Sequence, residues 1–521
     1  MTRPLTPHIP SPALSRRAVL AAGAGALALA GGWGRAVAAP LLAVESVTLD
    51  VNGKAAKVFA VNGPSGEGIF AKAGDRLSGA LLNGTQTPLV MHWHGQLLAP
   101  PDQDRARPGG GELAPGGTDS VDFVLTPGTH WMHSHTLSEQ QLLAAPLVTR
   151  EADAGDVQDV VVMLHDFSFR SPQEILAGLG GADAHGAHGA AAAPDPHAGH
   201  GAMGHSMAPA QGTRNASPAQ GMAGMNHSGH SMPGMGAMSG GAMNHGAMAG
   251  GGMTTHANDV TYDAFLANRR TLADPEVVRV EKGGRVRLRI INGGTATAFF
   301  ISVPGLAPRC IAVDGTPCAP VTADAFPLAQ GQRIDLLVDV PAGGGAFPVL
   351  AQVEASDQRT GVVLASAGAS IARLSDKAER AQGLVDLAFE ARLAATQPLA
   401  PRKADRSFPI LLGEEPGYRW TLNGKIYGEG APFAVRQGER VEMTFMNPTS
   451  MSHPMHLHGH HFQVVGIGGR RLSGAMRDTV VVPPHMPVTI AFDAGPKGEW
   501  FLHCHHLYHM ATGMMAVVAV A

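Results

Sequence analysis

The chain has 521 residues, a formal charge of −4 and only 5% aromatic residues. A near-neutral balance of this kind gives no reason to expect a nucleic-acid partner. Beyond the N-terminus no stretch is apolar for long enough to cross a bilayer, so no stable membrane association is expected.

Residues 1–38 read as a signal peptide. Ser15-Arg16-Arg17-Ala18-Val19-Leu20, followed by an Ala/Gly/Leu stretch to about Ala30, resembles a twin-arginine export signal, and Ala36-Val37-Ala38 suits cleavage. The mature chain is then expected to begin near Ala39, with the Tat export machinery as partner of the precursor and the periplasm as destination. An N-terminal anchor is the plain alternative, but the stretch is short and rich in glycine where a spanning helix needs about 20 strongly apolar residues.

The rest of the chain repeats itself. The pattern Gly-x-Arg-[Val/Leu]-x5-Asn occurs at Gly74 to Asn83, Gly283 to Asn292 and Gly438 to Asn447, each time in an alternating, strand-like segment. Three copies of one β-domain follow, expected at 39–180, 258–395 and 396–521. Without the signal and the residues between copies one and two, about 410 residues remain, or roughly 135 per copy, a normal size for a β-sandwich.

Copy one carries His92-Trp93-His94-Gly95 and His133-Ser134-His135. A lone His-x-His is ordinarily two histidines on one strand face, because side chains alternate along a strand.

Residues 181–257 are a different material, dominated by Ala, Gly, Ser, Met and His with neither alternation nor helical period, and are expected to be a disordered insert. Residues 182–256 hold ten of the chain's 23 Met and nine of its 26 His, in runs such as Met203-x-His205-x-Met207, Met222-x-x-Met225-x-His227 and His230-x-Met232-x-x-Met235. Thioethers are soft ligands that select Cu(I), and imidazole accepts either oxidation state, so the insert reads as a copper-capturing arm that binds additional copper. A flexible linker without ligand role is the bland reading.

Copy two has no such histidines. Counting nine and eleven residues from the repeat asparagine gives His92 and His94 in copy one, Ile301 and Val303 in copy two, and His456 and His458 in copy three. Counting six gives Leu89, Ala298 and His453. Five residues after Gly128, Gly345 and Gly498 come His133-Ser134-His135, Leu350-Ala351-Gln352 and His503-Cys504-His505. Copies one and three are therefore expected to face each other across a shared site, with copy two as a spacer. Cys310 and Cys318, eight residues apart around a turn at Asp314-Gly315, read as a disulfide or as two buried thiols.

Copy three ends in His503-Cys504-His505-His506-Leu507-Tyr508-His509, with Met514 ten residues after the cysteine. Alternation turns Cys504 one way and His503 and His505 the other. On the sulfur face, Cys504, His509, a weak thioether from Met514 and the imidazole of His453 are the ligand set of a blue-copper electron-transfer centre. On the other face four His-x-His pairs, eight imidazoles in all, are too many for one ion and read as a cluster of three coppers.

In order and spacing these four motifs resemble those of the multicopper oxidases, most like the periplasmic copper-resistance (copper-resistance protein A type) and cuprous oxidases. The resemblance implies an all-β fold of three cupredoxin-like Greek-key sandwiches and four copper ions. It gives type 1 copper to His453, Cys504, His509 and Met514, and type 2 copper to His92 and His456. The type 3 pair falls to His94, His133, His135, His458, His503 and His505. It also implies an activity: four one-electron oxidations of a reductant coupled to reduction of O2 to water, with Cys504, His503 and His505 conducting the electrons and Asp104 or Asp102 relaying protons. Tyr508 stands where cuprous oxidases often carry an acid. The remaining histidines His130, His165, His460, His461, His485 and His506 read as structural or exposed. Cu(I) is the expected reductant, in a role in copper tolerance. A laccase-type phenol oxidase and a copper-sequestering or delivery protein with incidental oxidase activity are the alternatives.

Overall fold

The computed structural model describes residues 41–64, 66–180 and 257–521. The expected signal peptide and the candidate copper-capturing residues Met203, His205, Met207, Met222, Met225, His227, His230, Met232 and Met235 lie outside the described residues.

Among the described residues, which are nearly all β, six sheets form three sandwiches. The first packs a five-stranded sheet, with Leu42–Val51 and Arg76–Asn83 at its centre, on a four-stranded sheet containing Met91–His94 and Gly128–Ser134. Leu42, Val44, Leu77 and Leu81 from one sheet bury against Met91, Trp93, Met132 and Leu147 from the other, which is what alternating strands achieve when two apolar faces meet. The second and third sandwiches have equivalent cores of their own.

The internal repeat is structural. Arg76–Asn83, Arg285–Asn292 and Arg440–Met446 each run parallel to a preceding strand and antiparallel to a later one. At the end of each, the repeat asparagine does the same work. Asn83 Nδ2 donates to Thr87 O and Leu113 O, Asn292 Nδ2 to Thr297 O and Leu328 O, and Asn447 Nδ2 to Met451 O and Val482 O, all at 2.7–2.9 Å. Each Oδ1 accepts from the backbone N–H two residues on. A buried amide satisfied this way braces the loop that launches the next strand.

Two expectations change. The sheet of the second sandwich begins before residues 181–256, with Gln158–Phe167 paired to Arg285–Asn292, so this strand, counted in copy one by sequence, belongs to copy two. The copy-two counting also slips by one. The loop after Asn292 is a residue longer, because its brace reaches the fifth residue on where Asn83 and Asn447 reach the fourth. Ser302, not Ile301, therefore stands opposite Leu350, as His92 stands opposite His133 and His456 opposite His503. Ligands are absent from copy two in either count.

Cys310 and Cys318 are buried free thiols whose Sγ atoms face each other at 3.8 Å. Among the described residues no helix is long and apolar enough to cross a membrane.

Candidate metal centres

Four short strands carry the histidine motifs. Met91–His94 pairs with Gly128–Ser134 in the first sandwich, and His453–Leu457 with Gly498–Cys504 in the third. Pairing places His92 opposite His133 and His456 opposite His503, while His135, His458 and His505 sit one residue past their strand ends. The two sandwiches face each other, and eight imidazoles meet between them.

They fall into three groups. His92 Nε2 and His456 Nε2 lie 3.3 Å apart. His94, His133 and His505 offer ligand atoms within 4.8 Å of one another, as do His135, His458 and His503. In the last group His503 Nε2 is 3.0 Å from His458 Nε2 and 3.2 Å from His135 Nε2.

The second nitrogen of each ring decides which one faces inward, since a neutral imidazole has one N–H and one lone pair. Nδ1 of His92 pairs with Asp104 Oδ2 at 2.7 Å, that of His456 with Asp478 O at 2.8 Å, that of His458 with Ala106 O at 3.1 Å and that of His503 with Cys504 O at 2.9 Å. His133 Nδ1 meets both Ser134 O and Glu139 Oε2 at 3.1 Å. These five rings are left with Nε2 for a metal. His505 Nε2 is buried with no hydrogen-bond partner among the described residues. Burial lowers the pKa of His94, His135, His456, His458 and His505 well below the usual value and that of His503 to about 3, so these rings are neutral at ordinary pH, the form a metal would require.

On the opposite face of the Cys504 strand, Cys504 Sγ lies 3.7 Å from His453 Nδ1 and 3.8 Å from His509 Nδ1, and the two nitrogens are 3.2 Å apart. His453 Nε2 is held by Thr449 Oγ1 at 2.8 Å, on the loop that Asn447 braces. Met514 is buried in the same cluster as Cys504, and its N–H donates to His509 O. Trp420 stacks on His509 with ring centroids 3.9 Å apart. Burial pushes the Cys504 thiol well above its usual pKa, so the thiolate forms only with a cation to stabilise it.

These donor sets fit copper. A thiolate with two imidazoles and a nearby thioether suits a trigonal one-electron site, and the lone pairs turned inward on the other face, including that of the unpartnered His505 Nε2, suit a cluster.

The structure also brings in residues that sequence reasoning missed. Glu139 contacts His133, Asp478 contacts His94 Nε2 at 3.1 Å, and Asp259 lies 3.5 Å from His509 Nε2 and 3.2 Å from His506 Nε2. None belongs to a repeated motif. Asp104 is buried against His92, whereas Asp102 is exposed. Tyr508, in the place of an expected acid, donates to Gln140 Oε1. His506, expected to be merely structural or exposed, is buried and stacks on His509 at 3.7 Å.

Copy two, expected only as a spacer, touches the cluster too. Gly331 has φ +78°, and a Cβ there would lie 2.5 Å from His505 Cδ2. Gly95, in the first motif, is similarly obligatory at φ +83°, where a Cβ would meet His130 Nδ1 at 2.2 Å.

Residues 43–151, 215–372 and 400–521 each match a sequence family described as multicopper oxidase. The chain is 28% identical to the multicopper oxidase MmcO of Mycobacterium tuberculosis, over 86% of this chain and 79% of that protein. It is 23% identical to a copper resistance protein A homolog of Pseudomonas syringae pv. tomato, over 92% of each. Among solved structures, that of Fet3p, a multicopper oxidase that functions in iron import, superposes with a TM-score of 0.67 at 16% identity, covering 92% of this chain and 89% of that one.

Proposed function

The chain belongs to the multicopper oxidase family, and from that premise we propose that it is a cuprous oxidase: it takes electrons one at a time from Cu(I) and passes them to O2 in the service of copper tolerance. Four copper ions complete the protein in this reading. Type 1 copper is held by His453, Cys504, His509 and Met514, type 2 by His92 and His456, and the type 3 pair by His94, His133 and His505 on one side and His135, His458 and His503 on the other. When bound, copper would accept one electron at a time at the thiolate site, and the four ions together, one there and three at the cluster, would supply the four electrons that with four protons turn O2 into two waters.

The chain's own residues do the rest. Cys504 is covalently flanked by His503 and His505, so one strand links the two sites by a path of bonds. Asp104, hydrogen-bonded to His92 Nδ1 and to the Ala106 N–H, stands ready to hold the protons that O2 reduction consumes.

The observation that carries the choice of reductant is the cover over His509. Its ring is buried, and the group at its outer nitrogen is the carboxylate of Asp259, itself fixed by the Tyr418 hydroxyl. A phenol ring has no imidazole edge to lie against, whereas a carboxylate attracts a small cation. The segments on either side of residues 181–256 close this cover: Ile175 of the helix Pro172–Leu179 and Val260 and Tyr262 beyond the insert pack with Leu507, Tyr508 and Met510. The Met/His-rich insert thus departs from and returns to the neighbourhood of His509, as an arm that collects Cu(I) would. Export through the twin-arginine pathway to the periplasm, with residues 1–38 removed, completes the proposal.

Oxygen uptake by copper-loaded mature protein, with Cu(I) or a phenol as reductant and with or without residues 182–256, tests it. Fast Cu(I)-dependent uptake that falls on deletion and in Asp259→Ala is the expected result. Phenol turnover that is unchanged or faster after deletion would make the protein a laccase. Copper protection in cells undiminished by Cys504→Ser would make it a sequestering protein.

A further inference from the structure

The second sandwich reaches the imidazole cluster through Arg333, with the buried carboxylate of Asp314 3.8 Å beside it. Arg333 opens the strand Arg333–Asp339, is fully buried and contacts all three copies. Nε donates to Thr129 O of the first at 3.2 Å, Nη1 to Gly331 O of its own loop at 2.9 Å, and Nη1 and Nη2 clamp the two oxygens of Asp478 in the third at 2.7 and 2.5 Å. Asp478 Oδ1 in turn meets His94 Nε2 at 3.1 Å and accepts from Thr479 Oγ1 at 3.0 Å, and His461 Nε2 lies 3.6 Å from Oδ2.

A buried ion pair is weak evidence of stabilisation. Well-packed apolar residues of similar volume often hold an interior as well as a buried ion pair, while removing one partner alone leaves an uncompensated buried charge. The geometry of His94 accounts for the pair. Five cluster rings have Nδ1 occupied and Nε2 turned inward, but His94 is reversed: Asp478 occupies Nε2, and Nδ1 faces His133 Nε2 at 3.4 Å. A carboxylate clamped by two guanidinium N–H groups presents only acceptors to a third neighbour, so His94 must place its proton on Nε2 and its lone pair on Nδ1.

We propose that Arg333 is a positioning residue for the cluster: carried on the sandwich that has no ligands, it holds Asp478 as a pure acceptor and thereby fixes His94 with Nδ1 toward the metal. The assignment concerns the oxygen-reducing cluster and is independent of which reductant the enzyme uses.

The test compares copper-loaded Asp478→Asn, Arg333→Gln, Arg333→Lys and the double variant Arg333→Gln/Asp478→Asn with the parent. The readouts are copper content, thiolate-to-copper absorption, the paramagnetic resonance of the cluster and thermal unfolding of the metal-free protein. Asp478→Asn offers His94 an N–H as well as a carbonyl, and cluster copper affinity is expected to fall about 10–100-fold while thiolate absorption is retained. Arg333→Gln behaves alike, and Arg333→Lys, which keeps the charge, recovers most of the affinity. If a single variant leaves an unpaired buried charge and fails to fold, the neutral double variant carries the test. Parental copper content and cluster spectrum in folded Asp478→Asn or in the double variant would overturn the proposal. So would equal loss from both centres in step with a lower metal-free unfolding temperature that lysine does not rescue.

Discussion

The second and third sandwiches share a parallel first strand, an asparagine brace and two facing short strands, yet one holds a sulfur site and half of a cluster while the other holds Ser302, Leu350 and Ala351 in the corresponding rows. The difference teaches that the scaffold does not depend on the ligands. In the second sandwich the same rows are filled by apolar packing of Phe299, Ile301, Leu350 and Ala351, and its core is as closed as that of the third. The proposed ligands are side-chain substitutions on a frame that stands without them.

Removing the thiolate makes the third sandwich most like the second. Cys504→Ser is expected to abolish thiolate-to-copper absorption and to reduce oxygen uptake to background, with cluster copper retained; absorption and copper analysis check this. The second sandwich is not passive, however. Gly331→Ala places a methyl against His505 in a left-handed backbone, and a displacement near 1 Å in such a site costs about 10²-fold in turnover, with little change at the sulfur site. Asp104→Asn, which weakens the acceptor on His92, is expected to lower copper affinity or activity about 10–100-fold, read by copper competition and oxygen uptake.

The braces give the most direct comparison. Asn292→Ala and Asn447→Ala each leave two buried carbonyls short of a donor and should each destabilise the metal-free protein by about 1–3 kcal/mol in denaturant unfolding. Only Asn447→Ala should also weaken copper at the sulfur site, because only that loop carries Thr449 and His453.

An effect of similar size, confined to one pH range, belongs to Glu354, which follows a strand of the second sandwich and accepts from Val385 in the core of the third. Burial raises the Glu354 carboxyl to about 7, although the Val385 N–H it accepts opposes the shift. The folded state therefore keeps a proton that the unfolded chain loses, so stability is full below the ordinary carboxylate pKa and falls as pH rises through about 7. Glu354→Gln should remove this fall, stabilising the protein by about 1–3 kcal/mol at pH 8 relative to pH 5 in paired melting curves.

Much of the site was legible from one chain. Alternation puts His503 and His505 opposite Cys504 whatever the rest of the fold does, and spacing counted from the repeat asparagine singled out His453 because a shared brace launches each strand at a fixed offset. The same counting failed by one residue in copy two, where a longer loop shifts the register without changing the motif. Asp478, Glu139 and Asp259 were illegible because each meets its histidine across a long stretch of chain or by a local turn that no period encodes.

The sequence by itself determined the candidate ligand types, their alternation on strands and the threefold repeat, since these follow from covalent spacing and the two-residue period of a strand. Only the tertiary structure decided which nitrogen of each imidazole faces inward, that Gln158–Phe167 joins the second sheet, and that Arg333 of the ligand-free copy stands behind His94. Those outcomes depend on which distant groups share a buried space, where an unpaired N–H or carboxylate is too costly to leave unmatched.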